Sequence, residues 1–273
     1  MKKKIFTVML ASVMLLAGTS CGNAQKKSQM DKEVTTEATL PKVYFVKEIS
    51  PESLMKIYEA LGRKAEGEHV AVKLSTGEAG NPNYLQPALI KDLVQTVKGT
   101  IVEGNTAYGG KRTNVADHME VAKEHGFTAI ADVDIMDAER QVELPVNGGK
   151  HLKVDIVGKD FLNYDFMVVL SHFKGHPMAG FGGALKNISI GIASPEGKAY
   201  IHSGGKTRDV TEVWNMVPAD TIFQESMAEA SKAIIDHIGN RVLYINVANN
   251  LSVDCDCVAT PADPQMSDLG IFA

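Results

Sequence analysis

Short apolar segments alternate with amphipathic ones along most of the chain, starting near Pro41. The apolar segments have strand length and predict strands over 43–46, 69–74, 100–102, 128–133, 165–170 and 241–247. Between them, apolar residues recur at helical spacing, which predicts helices over 50–64, 86–98, 113–125 and 221–239. Residues 141–157 are typical of two strands joined in a hairpin at Asn147-Gly148-Gly149. Apolar strands separated by helices indicate a single α/β domain, whose mainly parallel or mixed sheet carries helices on both faces.

Polar residues mark the starts of the predicted helices. Ser50 has the character of an N-cap and is followed by Pro51 at the first helical position. Thr113 is predicted to cap the third helix. Thr221 and Gln224 have the spacing of a capping box at the start of the longest helix.

Residues 1–21 have the pattern of a bacterial lipoprotein signal. Three consecutive lysines precede the uncharged apolar run Ile5–Ala17, and small residues then lead to Cys21. Cys21 is the predicted lipidation site, which implies the membrane as a partner through a lipid anchor and a periplasm-facing place in the cell envelope. The alternative is cleavage after Ala24, which gives a soluble periplasmic protein. Residues 22–40 are polar and predict a flexible tether before a domain over 41–273.

The composition is that of a globular protein and excludes several classes. A net charge of −5 without a strong basic block argues against nucleic acid as a partner. Three cysteines are too few for a secreted disulfide scaffold. No apolar run reaches the ~18–20 residues that span a bilayer.

Gly-rich loops follow the predicted strands at 69–74 and 100–102, at the edge where open α/β sheets collect their sites. The second loop carries Glu103 and Asn105, and Lys111 stands just before the next predicted helix. Glu103 is a candidate general acid or base, and Asn105 and Lys111 are candidate ligand-binding residues. A plain turn explains the glycines but not these polar side chains.

The densest polar segment, 171–187, follows the most apolar predicted strand. His172 and His176 are four residues apart, but a glycine between them and a proline after them disfavour a helix, so a shared metal would be bound from a loop. Residues 180–187 are typical of a Gly-rich turn that opens a helix, where backbone N–H groups bind an anion. The candidate ligand-binding residues there are Lys174, Gly182, Gly183, Lys186 and Asn187.

An Asp-Cys-Asp-Cys motif occupies 254–257, after the last buried strand. In an extended backbone the two thiols share one face and the two acids the other. Two thiols at this spacing suit a soft transition metal such as Zn, Fe or Cu, with Asp254 as a second candidate acid or base. The alternatives are a strained disulfide, two inert buried thiols, or a redox-active thiol pair. The candidate metal ligands are therefore His172, His176, Cys255 and Cys257.

Three of these segments resemble one known family. The run SHFKGHPMAGFGGALKNISIGIAS, the loop VEGNTAYGGKR and the ending VDCDC…PADPQMSDLGIFA are similar to the domain of unknown function 362 family, over about Val70–Ala273. Members are often described as iron–sulfur-centre proteins, and the family's activity is not established. The resemblance implies the family's fold and places its characteristic motif positions at Glu103, Asn105, His172, Lys174, His176, Lys186, Asn187, Asp254, Cys255 and Cys257.

Two departures limit what the resemblance implies. Many members carry a ferredoxin-like insert with two runs of closely spaced cysteines, whereas 197–219 occupies that place here without a cysteine. A [4Fe–4S] cluster needs four thiolates as a rule, so this chain alone cannot hold a complete one. Similar sequences also continue past 269–272 into a further helix, so we expect a chain that is truncated after Ala273.

Four hypotheses follow, and they leave open whether the protein is an enzyme. The first is an envelope lipoprotein that binds a metal or redox centre through its Cys and His loops. The second is a binding protein for an anionic small molecule, held by the Gly182-Gly183 turn, Lys174, Lys186 and the pair Lys111-Arg112. The third is a thiol–disulfide site. The fourth is a remnant domain without activity, which lost an electron-transfer partner together with the insert.

Overall fold

The computed structural model describes residues 40–253 and 258–273. Its helices are α1 (Pro51–Ala60), α2 (Pro87–Thr96), α3 (Val115–Glu124), α4 (Ala184–Ile188), α5 (Pro195–His202) and α6 (Asp220–Ile238). Its strands are β1 (Phe45–Val46), β2 (Val70–Lys73), β3 (Thr100–Glu103), β4 (Val133–Ile135), β5 (Gln141–Pro145), β6 (Val154–Gly158), β7 (Phe166–His172), β8 (Lys174–His176), β9 (Gly180–Gly182), β10 (Val242–Ala248) and β11 (Gly270–Phe272).

Seven strands form the central sheet, in the order β1-β11-β10-β7-β2-β3-β4. The strand pairs from β10 to β4 are all parallel, whereas β11 runs antiparallel to both β10 and β1. The predicted α/β fold with a mainly parallel sheet is confirmed. Because β7, β2 and β3 are neighbours, the loops that leave their carboxyl ends meet at one edge of the sheet.

Alternate residues of β7 pack on opposite faces of this sheet. Val168 and Leu170 belong to a hydrophobic core that includes residues of α1 and α2. Met167 and Val169 belong to a second core, which includes residues of α5 and α6. A strand covered on both faces has no solvated side, which is why its sequence is a continuous apolar run.

Two of the predicted local signals are confirmed. The Ser50 side chain accepts a hydrogen bond from the backbone N–H of Ser53 at 3.2 Å, and Pro51 occupies the first turn of α1. The hairpin also forms, since β5 and β6 pair antiparallel and Gly148, between them, has a φ of 78°. Only glycine adopts that left-handed backbone without strain.

Three predicted boundaries are wrong. Asn114 caps α3 in place of Thr113 by accepting a bond from the Asp117 N–H at 3.0 Å, because a short 3-10 turn over 111–113 precedes the helix. Residues 127–129 form another 3-10 turn where a strand was expected, and β4 starts only at residue 133. Helix α6 starts at Asp220 with no side-chain cap, so the predicted capping box at Thr221 does not form.

No helix among residues 40–253 and 258–273 is long and apolar enough to cross a membrane. Cys21 and the signal sequence around it lie outside the described residues. Lipidation, and the envelope location that depends on it, therefore stay predictions from the sequence.

Candidate functional site

A cleft of about 100 Å³ opens where the loops after β2, β3 and β7 meet. It lies at the carboxyl edge of the parallel strands, where the sequence led us to expect a site. The cationic residues that line it are Lys73, Arg112, Lys174, Lys186 and Lys198, and the carboxylate among its lining residues is Glu103.

Glu103, at the end of β3, is the centre of a buried network of charges. Its carboxylate lies 2.9 Å from Lys73 Nζ and 3.3 Å from Arg112 Nη1. It also accepts a bond from the Thr76 N–H at 2.9 Å, and His118 Nε2 lies 3.9 Å away. Burial by itself raises the pKa of Glu103, but the positive charges of its neighbours outweigh burial and lower the pKa to about 2. A carboxylate that stays ionised at neutral pH suits the holding of cations better than the donation of a proton.

Arg112 joins this network to the loop after β2. Its Nε lies 3.5 Å from a carboxylate oxygen of Glu78, and its Nη1 lies 3.3 Å from the Ser75 hydroxyl. Lys111, the neighbour predicted from sequence, is exposed and contributes its backbone N–H to Glu78 at 2.8 Å. The cleft therefore receives the second residue of the Lys-Arg pair, because the short turn over 111–113 directs it inward.

Asn105 is buried but holds the loop after β3 instead of lining the cleft. Its N–H donates to Asp137 at 2.9 Å, and its side-chain oxygen lies 3.2 Å from His118 Nδ1. Burial lowers the pKa of His118 to about 4, so this imidazole is neutral at pH 7. Asn105 and His118 thus support the network from behind.

The Gly-rich segment forms part of the cleft wall. Strands β8 and β9 form a small hairpin, and both Gly182 and Gly183 line the cleft. A Cβ at Gly183 would lie 3.0 Å from the Asn246 side-chain oxygen, which leaves little space for a larger residue. The backbone N–H of Ala184, at the start of α4, already donates to that same oxygen at 3.0 Å. The short helix α4 therefore contributes to the cleft through its side chains more than through free backbone N–H groups at its N-terminus.

Asn187 ties two strand ends together while it lines the cleft. Its side-chain amide donates to the Ser171 hydroxyl at 3.0 Å and to the backbone carbonyl of Lys73 at 3.1 Å. These bonds join the end of β7 to the end of β2. Lys186, one residue earlier on α4, also lines the cleft, as does Lys174 on β8.

The two histidines have different positions. His172, at the end of β7, lines the cleft, and its Nε2 lies 2.6 Å from the Asn249 carbonyl, to which it donates. His176 is buried, and its Nδ1 accepts bonds from the backbone N–H groups of Met178 and Ala179 at 3.2 and 3.1 Å. In this ring orientation Nε2 of His176 carries the hydrogen, so both histidines have ring nitrogens engaged by the backbone.

Metal binding is not decided by these contacts. Outside the undescribed segments 1–39 and 254–257, no three His, Cys, Asp or Glu side chains converge on one point. Asp254, Cys255 and Cys257 all lie in the second of those segments. The metal centre, and the acid or base role of Asp254, therefore stay predictions from the sequence.

Sequence reasoning missed two cations of the cleft. Lys73 is buried at the end of the otherwise apolar strand β2, and that single charge in a VAVK run was the available signal. Lys198 lies on α5, which no motif marks in the sequence. The pair Lys111-Arg112 was expected at the anion site, and Arg112 is the member of the pair that lines the cleft.

Solved structures of low sequence identity resemble this fold. A crystal structure of a protein from Thermotoga maritima is 14% identical and matches 74% of this chain and 52% of that one, with a TM-score of 0.47. The lactate racemase apoprotein from Thermoanaerobacterium thermosaccharolyticum is 16% identical and matches 74% of this chain and 49% of that one, with a TM-score of 0.44. The chain thus spans about half the length of either protein.

No curated protein matches the chain. A family model does match, and it covers residues 70–273, which include every strand of the central sheet except β1 and every residue that lines the cleft. The chain belongs to the domain of unknown function 362 family.

Proposed function

We propose that the protein binds a small anionic molecule in the cleft at the carboxyl ends of β2, β3 and β7. One observation carries the proposal. The described residues that line the cleft include five cationic side chains and one carboxylate, that of Glu103. This corresponds to the second hypothesis drawn from the sequence, with Lys186 at the site.

The energetic argument starts from the cost of burying positive charge. Lys73 is 1% exposed and Lys198 is 4% exposed, so both ammonium groups have lost most of their hydration. Burial is the main cause that lowers the pKa of each lysine, and the charge of Arg112 lowers both further. A bound anion would replace part of the lost hydration and stabilise the charged forms, so binding and protonation support each other.

The geometry also favours a bound anion over a loose ion atmosphere. Glu103 holds Lys73 and Arg112 in fixed positions on one wall, and Asn187 fixes the strand ends beside them. Donors that are already oriented lose little conformational entropy when a ligand arrives. A carboxylate or phosphate group suits such a site because it accepts several charge-assisted hydrogen bonds at once.

The test is calorimetric titration of the full chain with inorganic phosphate, pyrophosphate and citrate at low salt. We expect saturable binding of at least one probe, with a Kd that Lys186→Gln weakens by about tenfold, or ~1.4 kcal/mol. Lys232→Gln is the matched control, because Lys232 is an exposed lysine on α6 paired with Asp236. No saturable binding of any probe would overturn the proposal, as would equal effects of the two substitutions.

The metal centre from the first hypothesis, with His172, His176, Cys255 and Cys257 as its candidate ligands, is a separate proposal that rests on the chemistry of those side chains. Purified protein should then contain stoichiometric metal, which the double substitution Cys255→Ala and Cys257→Ala removes. Protein that is metal-free under reducing, anaerobic conditions would contradict this proposal and leave the anion site untouched. Lipidation is likewise separable, since a Cys21→Ser variant should lose the mass of the lipid anchor.

A further inference from the structure

Lys198 differs from the other buried lysine of the cleft in its partners. Lys73 forms an ion pair with Glu103 at 2.9 Å. No carboxylate in the described ranges forms an ion pair with Lys198, whose Nζ donates instead to the backbone carbonyl of Ala193. A buried lysine without an anionic partner is rare, because the charged form is then costly.

The charge of Lys198 acts on a buried carboxyl group of β6, that of Asp155, whose raised pKa favours the protonated form at pH 7. Asp155 is fully buried, and neither of its side-chain oxygens has a hydrogen-bond partner. Burial raises the pKa of Asp155 to about 8, although the charge of Lys198 lowers it in part. A protonated Asp155 gives Lys198 no negative charge to pair with.

The surroundings of Lys198 therefore make its proton easier to remove than that of an ordinary lysine, so that a substantial fraction of the free protein carries a neutral amine at pH 8. Burial lowers the pKa of Lys198 to about 8, and the charges of Lys73 and Arg112 act in the same direction against those of Asp137 and Glu103. Desolvation and a neighbouring cation are the two conditions that activate a lysine as a nucleophile. Lys198 meets both, and it lines the cleft.

We infer that Lys198 is a nucleophile that forms an imine with the carbonyl group of a small anionic oxo compound bound in the cleft. The inference rests on the proposed function, since the cationic walls would hold the anionic end of that compound. The substrate class is an oxo-carboxylate or an oxo compound that carries phosphate.

The covalent step balances without an oxidant or a reductant. The Lys198 nitrogen attacks the carbonyl carbon, and a proton moves from nitrogen to the former carbonyl oxygen, which gives a carbinolamine. The nitrogen lone pair then forms the C=N bond as the hydroxyl leaves, and the proton that the nitrogen loses completes one molecule of water. The products are the imine and water, so hydrolysis reverses the step.

Lys73 cannot take this role as easily. Its ammonium is held by Glu103 and donates to the backbone carbonyl of Leu74. Removing its proton would leave Glu103 without one of its two bound cations. The contrast predicts selective modification at Lys198.

The test uses the full chain with glyoxylate as the probe and sodium borohydride to reduce any imine to a stable amine. Peptide mapping by mass spectrometry should find one carboxymethyl group per chain, located on Lys198 and suppressed by excess pyrophosphate or citrate. Lys198→Arg, which keeps the charge but is not a nucleophile, should abolish the adduct. Lys153→Arg, a substitution at an exposed lysine, should leave it unchanged.

The outcomes separate the inference from the proposed function. Saturable anion binding in calorimetry, with glyoxylate adducts spread over exposed lysines and none enriched at Lys198, would overturn the imine and keep the anion site. Absence of anion binding together with absence of the Lys198 adduct would overturn both. Peptide mapping of the unsubstituted chain needs no variant, so the test remains decisive even if the Lys198→Arg protein folds poorly.

Discussion

The two walls of the cleft use buried positive charge in opposite ways. On the β2–β3 wall, Lys73 and Arg112 share the carboxylate of Glu103, and Arg112 also pairs with Glu78, so two carboxylates match the two cations. On the α5 side, no carboxylate in the described ranges forms an ion pair with Lys198, which donates to the backbone carbonyl of Ala193. The ion pairs of the first arrangement hold its side chains in fixed positions, as in a rigid scaffold. The second arrangement leaves the amine of Lys198 able to react as a nucleophile. The difference shows that burial of a lysine by itself says little until its partners are known.

The largest effect is expected from Glu103→Gln, which removes the shared carboxylate of the first wall. Lys73 would then be buried without its counter-charge and Arg112 would keep only Glu78, and breaking a buried pair costs about 3–5 kcal/mol. Urea denaturation at pH 7 measures the loss in the free energy of unfolding. Because the pKa of Glu103 falls from 4.5 to about 2 on folding, its contribution is present above pH 4.5 and is lost as the pH drops toward 2.

Glu143→Gln is the matched control for that experiment. Glu143 forms an ion pair with Arg208, but both side chains are roughly half exposed. Exposed pairs are worth ~0–1 kcal/mol, so the free energy of unfolding should change little. Equal losses in the two variants would mean that the buried network does not stabilise the first wall.

The next largest effect compares the two buried lysines directly. Lys73→Met should destabilise the fold by about 2–4 kcal/mol, because Glu103 loses an ion-pair partner within a buried network. Lys198→Met should leave stability within about 1 kcal/mol of the parent or raise it, since an apolar side chain replaces a buried charge that has no anionic partner. Thermal and urea unfolding of both variants measure the two changes in stability. A larger loss of stability in Lys198→Met than in Lys73→Met would contradict the prediction.

A pH-dependent effect is expected from Asp155→Asn. The pKa of Asp155 rises from 3.8 to about 8 on folding, so the folded state holds a proton that the unfolded chain releases. The contribution of Asp155 is fully present below pH 3.8, and it falls by about 1.4 kcal/mol per pH unit as the pH rises toward 8.

Asparagine does not titrate, so the variant should gain stability relative to the parent as the pH rises from 5 to 8. Urea denaturation at those two pH values measures the difference in the free energy of unfolding between the variant and the parent, in which the contributions of other titrating groups largely cancel. A difference that stays constant with pH would mean that Asp155 is ionised in the folded protein.

The smallest effect is a proton uptake on anion binding. Lys198 has a pKa of about 8, so at pH 8 part of the population is neutral, and a bound anion favours the protonated form. Titration with pyrophosphate in two buffers of different ionisation enthalpy should reveal a fractional proton uptake at pH 8 that disappears in Lys198→Met. Uptake of the same size in that variant would place the titrating group elsewhere.

Much of the fold was predictable because burial leaves a direct trace in sequence. The run from Phe166 to Leu170 had to lie in a doubly covered strand, since an apolar residue at each position has no solvated face to occupy. Ser50 before Pro51 gave a helix start, because a short polar side chain there satisfies a free backbone N–H. Local chemistry was enough in both cases.

The boundaries that failed depend on competition between neighbours. Thr113 and Asn114 are both suitable N-cap residues. Because residues 111–113 form a short 3-10 turn, Asn114 is the residue that caps α3. The segment after Gly126 has residues that suit a strand. Gly126 adopts a left-handed conformation, however, and the residues after it form a 3-10 turn that buries Phe127 in the core. Neither outcome can be derived from local propensity alone.

The sequence by itself determined the alternation of strands and helices, the parallel sheet, and the edge at which polar loops collect. Periodicity and turn chemistry are local, so they can be inferred along the chain. Only the tertiary structure decided that Arg112 and not Lys111 lines the cleft, that Glu103 serves as the counter-charge for Lys73, and that Lys198 joins them from α5. Electrostatic partnership and desolvation act through space between residues far apart in the chain, and a linear pattern carries no record of either.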